Sequence, residues 1–264
     1  MGLFLLIVVS IIGLLLAVWL LCLLVRRSSY YARGRQIVRN IQLHWPWLYI
    51  AFAFGTSVTM LTFFAELAWK TLLRQQMEAV DNFVIWLVRY FANPTMDQIM
   101  IRLSDFGAGY LYAAIVLACL GYFAFKREWR MVAIQALCMG GGLALNIFLK
   151  YLFERSRPDL FQMVDAAGYS FPSGHAMVSL CFYGMLAFLA ARTTSSWTRR
   201  LLIIFTATLL IGAIGVSRIY LGVHYPSDVA AGYAAGATWL AFCISLFLFW
   251  EERNSKGNLS AYRK

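Results

Sequence analysis

Three short stretches of the chain concentrate the residue types that handle phosphate. Lys150 is followed, after six residues, by Arg157-Pro158; Pro172-Ser173-Gly174-His175 comes next; and Ser217-Arg218 is followed by five residues, His224, three residues and Asp228. Lys150, Arg157 and Arg218 would bring three positive charges to an anion, and the planar fork of arginine matches pairs of phosphate oxygens. Ser173 stands where a helix N-cap is expected. The backbone N–H groups of Gly174 and its neighbours at a helix start would add a second anion site, and the missing side chain of Gly174 lets backbone approach closely. Imidazole titrates close to neutrality, so one histidine can attack as base or nucleophile while the other donates a proton. Asp228 lies four residues after His224, within reach if the chain enters a helix around Pro226. A carboxylate there would fix the ring tautomer and steady an imidazolium.

Singly, each stretch has a plain structural reading: a histidine at a helix end, an arginine reaching the interface, a Pro-Ser-Gly-His turn serving only as a helix cap. Jointly they point to one site. The chain has 3 histidines, two of which fall in these clusters, while the third, His44, lies among tryptophans elsewhere.

The elements that must position these residues are membrane helices. With 61% hydrophobic and 13% charged residues in 264, the chain has too little polar surface to cover a soluble globule. Seven apolar stretches, near 2–25, 47–69, 107–125, 131–149, 174–191, 201–216 and 229–250, reach or approach the roughly 20 residues that cross a bilayer. The expected fold is therefore all-α, a polytopic transmembrane helical bundle. Residues 1–46 form an N-terminal transmembrane anchor and basic cytoplasmic loop, 47–250 a six-span core, and 251–264 a cytoplasmic tail. The first span has no basic residue before it and no small-residue cleavage site, so it reads as a retained anchor. Because spans alternate in direction, the three clusters emerge on one face. Of the 23 Lys and Arg, 15 lie in 26–46, 126–130, 192–200 and the tail, on the opposite face. That face is cytoplasmic by the positive-inside rule, which puts the site outside the cytoplasm in a cell membrane. Charge so distributed follows membrane topology and argues against a nucleic-acid partner.

Between spans two and three, Val80, Phe83, Val84, Leu87 and Phe91 recur at helical spacing, which suits a helix lying in the membrane interface. Asn93-Pro94 reads as the cap and first turn of a fresh helix. Cys22, Cys119, Cys138, Cys181 and Cys243 all fall in spans and suit packing rather than disulfides. The carboxylates are scattered, and no metal and no cofactor is expected.

The three clusters resemble the signature of the type-2 phosphatidic acid phosphatase superfamily, the lipid phosphate phosphatases, with all three motif parts intact. The resemblance covers the six-span core. It implies that His224 is a nucleophile forming a phosphohistidine, with Asp228 its partner, and that His175 protonates the leaving oxygen. Lys150, Arg157, Ser173, Gly174 and Arg218 would then hold the phosphate oxygens. The additional N-terminal span departs from the usual core. Expected substrates are membrane lipid phosphates or diphosphates: polyprenyl diphosphate, phosphatidylglycerol phosphate or phosphatidic acid. Two alternatives stand beside hydrolysis. A second lipid replacing water would make the protein a phosphotransferase, and a basic cluster serving as a filter would make it an anion or lipid transporter. A transporter predicts charges spread along the transmembrane path, whereas here they gather at one depth.

Overall fold

The computed structural model describes residues 47–158 and 162–261, with residues 255–261 described by backbone alone. The expected first span and the basic segment 26–46 lie outside the described residues. Among those described, the chain is helix and loop with no strand. Helix α1 spans Trp47–Ala68 and runs on through a π-helical turn, Trp69–Leu73. It is followed by α2 (Glu78–Arg89), α3 (Pro94–Asp105), α4 (Gly109–Phe125), α5 (Trp129–Phe153), α6 (Gly174–Thr193), α7 (Trp197–Tyr220) and α8 (Pro226–Ala261).

Among the described residues, six stretches are long and apolar enough to cross a bilayer: Trp47–Leu73, Pro94–Phe125, Trp129–Phe153, Gly174–Thr193, Trp197–Tyr220 and Pro226–Asn254. Each contains one of the six expected core spans. The second is longer than the expected 107–125 because α3 adjoins α4 across a short break. There Ala108 is extended and Gly109 takes φ +85°, a conformation glycine adopts without strain. Asn93 caps α3 as its position suggested: its Oδ1 accepts the Met96 N–H at 2.9 Å, with Pro94 in the first turn. Helix α8 stays helical past residue 250, to Ala261.

Helix α2 forms where an interfacial helix was expected, but with a different inward face. Phe91 is buried and Val84 and Leu87 are half-buried, whereas Val80 and Phe83 are exposed. The residues of α2 that are buried are Asp81 and Ile85. Phe83, Trp86 and Tyr90 stack on the outside, with successive ring centroids 6.1 and 5.5 Å apart. Asp81 turns inward because Arg155 and Ser227 satisfy its carboxylate there (below), which a buried charge requires.

Helix α6 is the centre of the bundle. Ala176, Met177, Cys181, Phe182 and Met185 are fully buried on it, against α5, α7 and α8. In lipid there is no water to drive helices together, so close packing of small residues matters more. A Cβ on Gly232 of α8 would stand 2.6 Å from the Ser173 carbonyl oxygen, and one on Gly236 would stand 3.0 Å from the Met177 carbonyl oxygen. The α6 and α8 backbones therefore nearly touch. Cys138, Cys181 and Cys243 are buried free thiols packed among apolar side chains, and Cys119 is a half-buried one. On the outside of α1, Phe52, Phe54, Leu61 and Phe63 are exposed, as suits a helix facing hydrocarbon.

Candidate active site

At one end of the bundle the C-terminal ends of α5 and α7 meet the N-terminal ends of α6 and α8. Helix α5 stops where Glu154 turns left-handed, at φ +46°. The chain then doubles back and is strapped down by its own backbone. Ser170 N–H donates to the Arg155 carbonyl at 2.8 Å, Met163 N–H to Leu221 at 3.1 Å, and Ser173 N–H to Asp228 at 2.9 Å. These straps bring the three clusters into one pocket.

His224 is 2% exposed and lies between two groups. Its Nδ1 is 3.5 Å from Asp228 Oδ2, and its Nε2 is 3.4 Å from Arg157 Nη1. Burial pushes its pKa down to about 4, against the opposing pull of Asp228, so the ring is neutral at pH 7. With the Nδ1 side turned to the carboxylate, the proton belongs on Nδ1 and the lone pair on Nε2. Asp228 is fully buried. Its Oδ1 accepts from Arg155 Nη1 at 2.6 Å and its Oδ2 from the Tyr225 N–H at 2.9 Å.

The cations ring the same space. Arg157 donates to the carbonyls of Gly168, Val223 and Ala167 at 2.8–3.0 Å; burial lowers its pKa and Asp228 opposes the shift. Lys150 Nζ donates to the Tyr169 carbonyl at 2.5 Å and lies within electrostatic reach of Arg157, Asp228 and Arg218. Arg218, 6% exposed, is held through Nη1 by Ser104 Oγ of α3.

Ser173 occupies the N-cap position of α6 but its hydroxyl does not cap the helix. Instead, among the described residues, Ser173 Oγ and Arg218 Nε are buried with no hydrogen-bond partner. Orphaned polar atoms at this end of the bundle are costly unless something polar binds there. Gly174 sits against α5, where a Cβ would meet Asn146 Oδ1 at 2.9 Å; His175 sits by the α3–α4 break, where a Cβ on Gly107 would stand 3.1 Å from its Cδ2.

The pocket also uses residues that the motif reading passed over. Asn146, 3% exposed, donates through Nδ2 to the Pro172 carbonyl and so supports the turn before α6. An amide in an apolar span was the available signal. Arg155, two residues before Arg157, pairs with both Asp228 and Asp81. Among the described residues no group of three His, Cys, Asp or Glu side chains is placed to hold a metal ion.

Residues 131–252 match the family model of the PAP2 superfamily. The chain is 36% identical over 143 residues to a decaprenylphosphoryl-5-phosphoribose phosphatase of Mycobacterium tuberculosis, covering 52% of this chain and 72% of that one. It is 28% identical to phosphatidylglycerophosphatase B of Bacillus subtilis, over 68% of this chain and 88% of that one. The crystal structure of the transmembrane PAP2 type phosphatidylglycerolphosphate phosphatase from Bacillus subtilis superposes with a TM-score of 0.66 at 25% identity, covering 75% of this chain and 96% of that one. The chain belongs to the PAP2 superfamily. Within it, the six-span core and its phosphatase relatives make this protein a multi-pass membrane enzyme, a lipid phosphatase.

Proposed function

We propose that the enzyme hydrolyses a lipid phosphate monoester or diphosphate through a phosphohistidine, at the extracytoplasmic face of a bacterial cell membrane. The observation that carries this reading is the setting of His224, with a carboxylate at Nδ1 and a guanidinium at Nε2. Nε2 attacks phosphorus, forming the P–N bond as the bond to the lipid oxygen (or the bridging oxygen of a diphosphate) breaks. His175 gives that oxygen its proton. Water, deprotonated by the same imidazole, then breaks the P–N bond and releases inorganic phosphate. Lys150, Arg157, Arg218, Ser173 Oγ and the amides at the start of α6 take the equatorial phosphate oxygens, where charge builds up as the phosphoryl group transfers. Asp228 offsets the positive charge that His224 acquires.

The bacterial relatives act on several headgroups: phosphatidylglycerophosphatase, polyprenyl-linked phosphatases and a lipid A 4'-phosphatase of Bacteroides thetaiotaomicron. The chemistry they share is a phosphate at the end of a membrane lipid. The test is phosphate release by purified enzyme from phosphatidylglycerol phosphate, undecaprenyl diphosphate and phosphatidic acid, with and without an acceptor lipid. Release that needs no acceptor supports the hydrolase. Transfer to the acceptor without free phosphate would make the enzyme a phosphotransferase, and no reaction on any of the three would defeat the reading.

A further inference from the structure

Behind the His224–Asp228 pair lies a chain of charge that reaches helix α2. Arg155 bridges two carboxylates: Nη1 donates to Asp228 Oδ1 at 2.6 Å and Nη2 to Asp81 Oδ2 at 3.2 Å. Ser227 closes the ring. Its Oγ accepts from Arg155 Nη1 at 2.8 Å and donates to Asp81 Oδ2 at 2.6 Å, while its N–H donates to Asp81 Oδ1 at 2.8 Å. The Arg155 guanidinium lies over the Tyr225 ring, 4.1 Å from its centroid. Asp81 is 1% exposed and Asp228 fully buried, so neither is screened by water.

An arginine alone on Asp228 would fix the carboxylate and also drain the negative charge that His224 needs. Asp81 removes that conflict. Shared between two carboxylates, Arg155 keeps its grip on Asp228 while the Asp81–Arg155 pair is close to neutral, and Asp228 still presents its charge to the imidazole. We propose that Arg155 and Asp81 are positioning residues of the phosphatase reaction: they hold Asp228 against His224 and set the net charge behind it, which ties the seating of α2 to the catalytic geometry. This rests on His224 being the nucleophile.

The charged and titratable groups facing His224 are Asp228 of α8, Arg157 of the loop after α5, His175 of α6 and Arg218 of α7; Lys150 of α5 lies next to these cations, and Arg155 and, through it, Asp81 of α2 act on His224 from behind Asp228. Neutralising one member of the Asp81–Arg155 pair leaves the other unbalanced, with opposite consequences for the imidazole. Arg155→Gln makes the surroundings more negative and raises the pH at which His224 protonates. Asp81→Asn makes them more positive and lowers it.

The experiment measures kcat and the acid limb of kcat/KM for wild type, Arg155→Gln, Asp81→Asn, the double variant and Arg155→Lys. The substrates are phosphatidic acid in detergent micelles and p-nitrophenyl phosphate, whose own ionisation is common to all five proteins. The acid limb moves up by about half a unit to one unit in Arg155→Gln and down by as much in Asp81→Asn. It returns to the wild-type position in the double variant. In Arg155→Lys the limb stays in place, but kcat falls about 10- to 100-fold, because one ammonium cannot reproduce the two-pronged bridge and a small misplacement of Asp228 is costly. If the single variants move the limb in the same direction or not at all, or if Arg155→Lys keeps wild-type kcat, the positioning role is overturned. Should a single variant fail to fold, Arg155→Lys and the double variant still decide. A wild-type enzyme inert on both substrates defeats the functional reading as well, whereas an active wild type with unresponsive variants defeats the positioning role alone.

Discussion

The two site histidines differ in setting, and the difference predicts separable defects. On the proposed mechanism replacing His224 removes the nucleophile: His224→Ala should abolish turnover and leave no phosphoryl group to trap covalently in rapid-quench labelling. His175→Ala loses only the proton for the leaving oxygen. It retains far more activity on p-nitrophenyl phosphate, whose leaving group needs no proton, than on a lipid monophosphate. The gap approaches about two orders of magnitude, within the usual worth of general acid catalysis. Equal losses on both substrates would reverse the assignment. The imidazole of His224 is also open to direct observation. In the folded protein its pKa is near 4, below the ordinary 6.5, so between those values the unfolded chain binds a proton that the folded one refuses. The stability contributed by neutral His224 is therefore present above about pH 6.5 and is lost as pH falls toward 4. Histidine-labelled NMR in detergent should give a midpoint near 4 for this ring, and a midpoint at or above 6.5 would contradict the burial argument.

At the level of elements, the six core spans were legible because long apolar runs have few other folded solutions. The motif clusters were legible because charge is rare among them. Two things were not. Helix α2 shows apolar residues at a convincing period, yet Asp81 points inward. An ion pair to Arg155, 74 residues away, outweighs the local pattern, and no window of sequence contains both partners. Ser173 looked like a helix cap, which depends on a side-chain rotamer that spacing does not set. Asn146 illustrates how α5 supports the start of α6 by tertiary contact. Asn146→Leu removes the bond to the Pro172 carbonyl and crowds Gly174, displacing the amides offered to phosphate. Activity should fall about 10- to 100-fold with vanadate affinity falling in parallel, while helix content by circular dichroism stays unchanged. Unchanged vanadate binding would show that the turn holds itself.

For the whole molecule, the proposed orientation, with the pocket outside the cytoplasm, can be tested directly. Cysteines introduced at Asp165, in the loop that returns over the pocket, and at Ser195, at the α6–α7 turn, should react with impermeant maleimide from opposite sides of the membrane. Position 165 should be reached from outside intact cells. Labelling of position 165 only after the cytoplasmic face is opened would invert the topology and place the pocket inside the cell. The ring of Lys150, Arg157 and Arg218 leads to a further expectation. On the proposed mechanism three cations and helix-start amides supply the charge that divalent ions bring to other phosphoryl-transfer enzymes, so turnover should survive chelation and yield to vanadate. Loss of activity with chelator and its return with magnesium would refute this.

The near contact between α6 and α8 also draws a map for anyone seeking a hardier enzyme. Exchanging helical glycine for alanine narrows the unfolded ensemble and commonly gains about 0.4–1 kcal/mol where the methyl fits. Among the described residues nothing lies within 4 Å of the carbon added at Gly55, Gly121, Gly140 or Gly212, while at Gly232 it would press on the Ser173 carbonyl at 2.6 Å. The first four are free positions for thermostabilisation. At Gly232 the same exchange pushes the start of α6, proposed to hold the phosphate, out of place, so a stabilising campaign that treats the glycines alike would lose the catalyst.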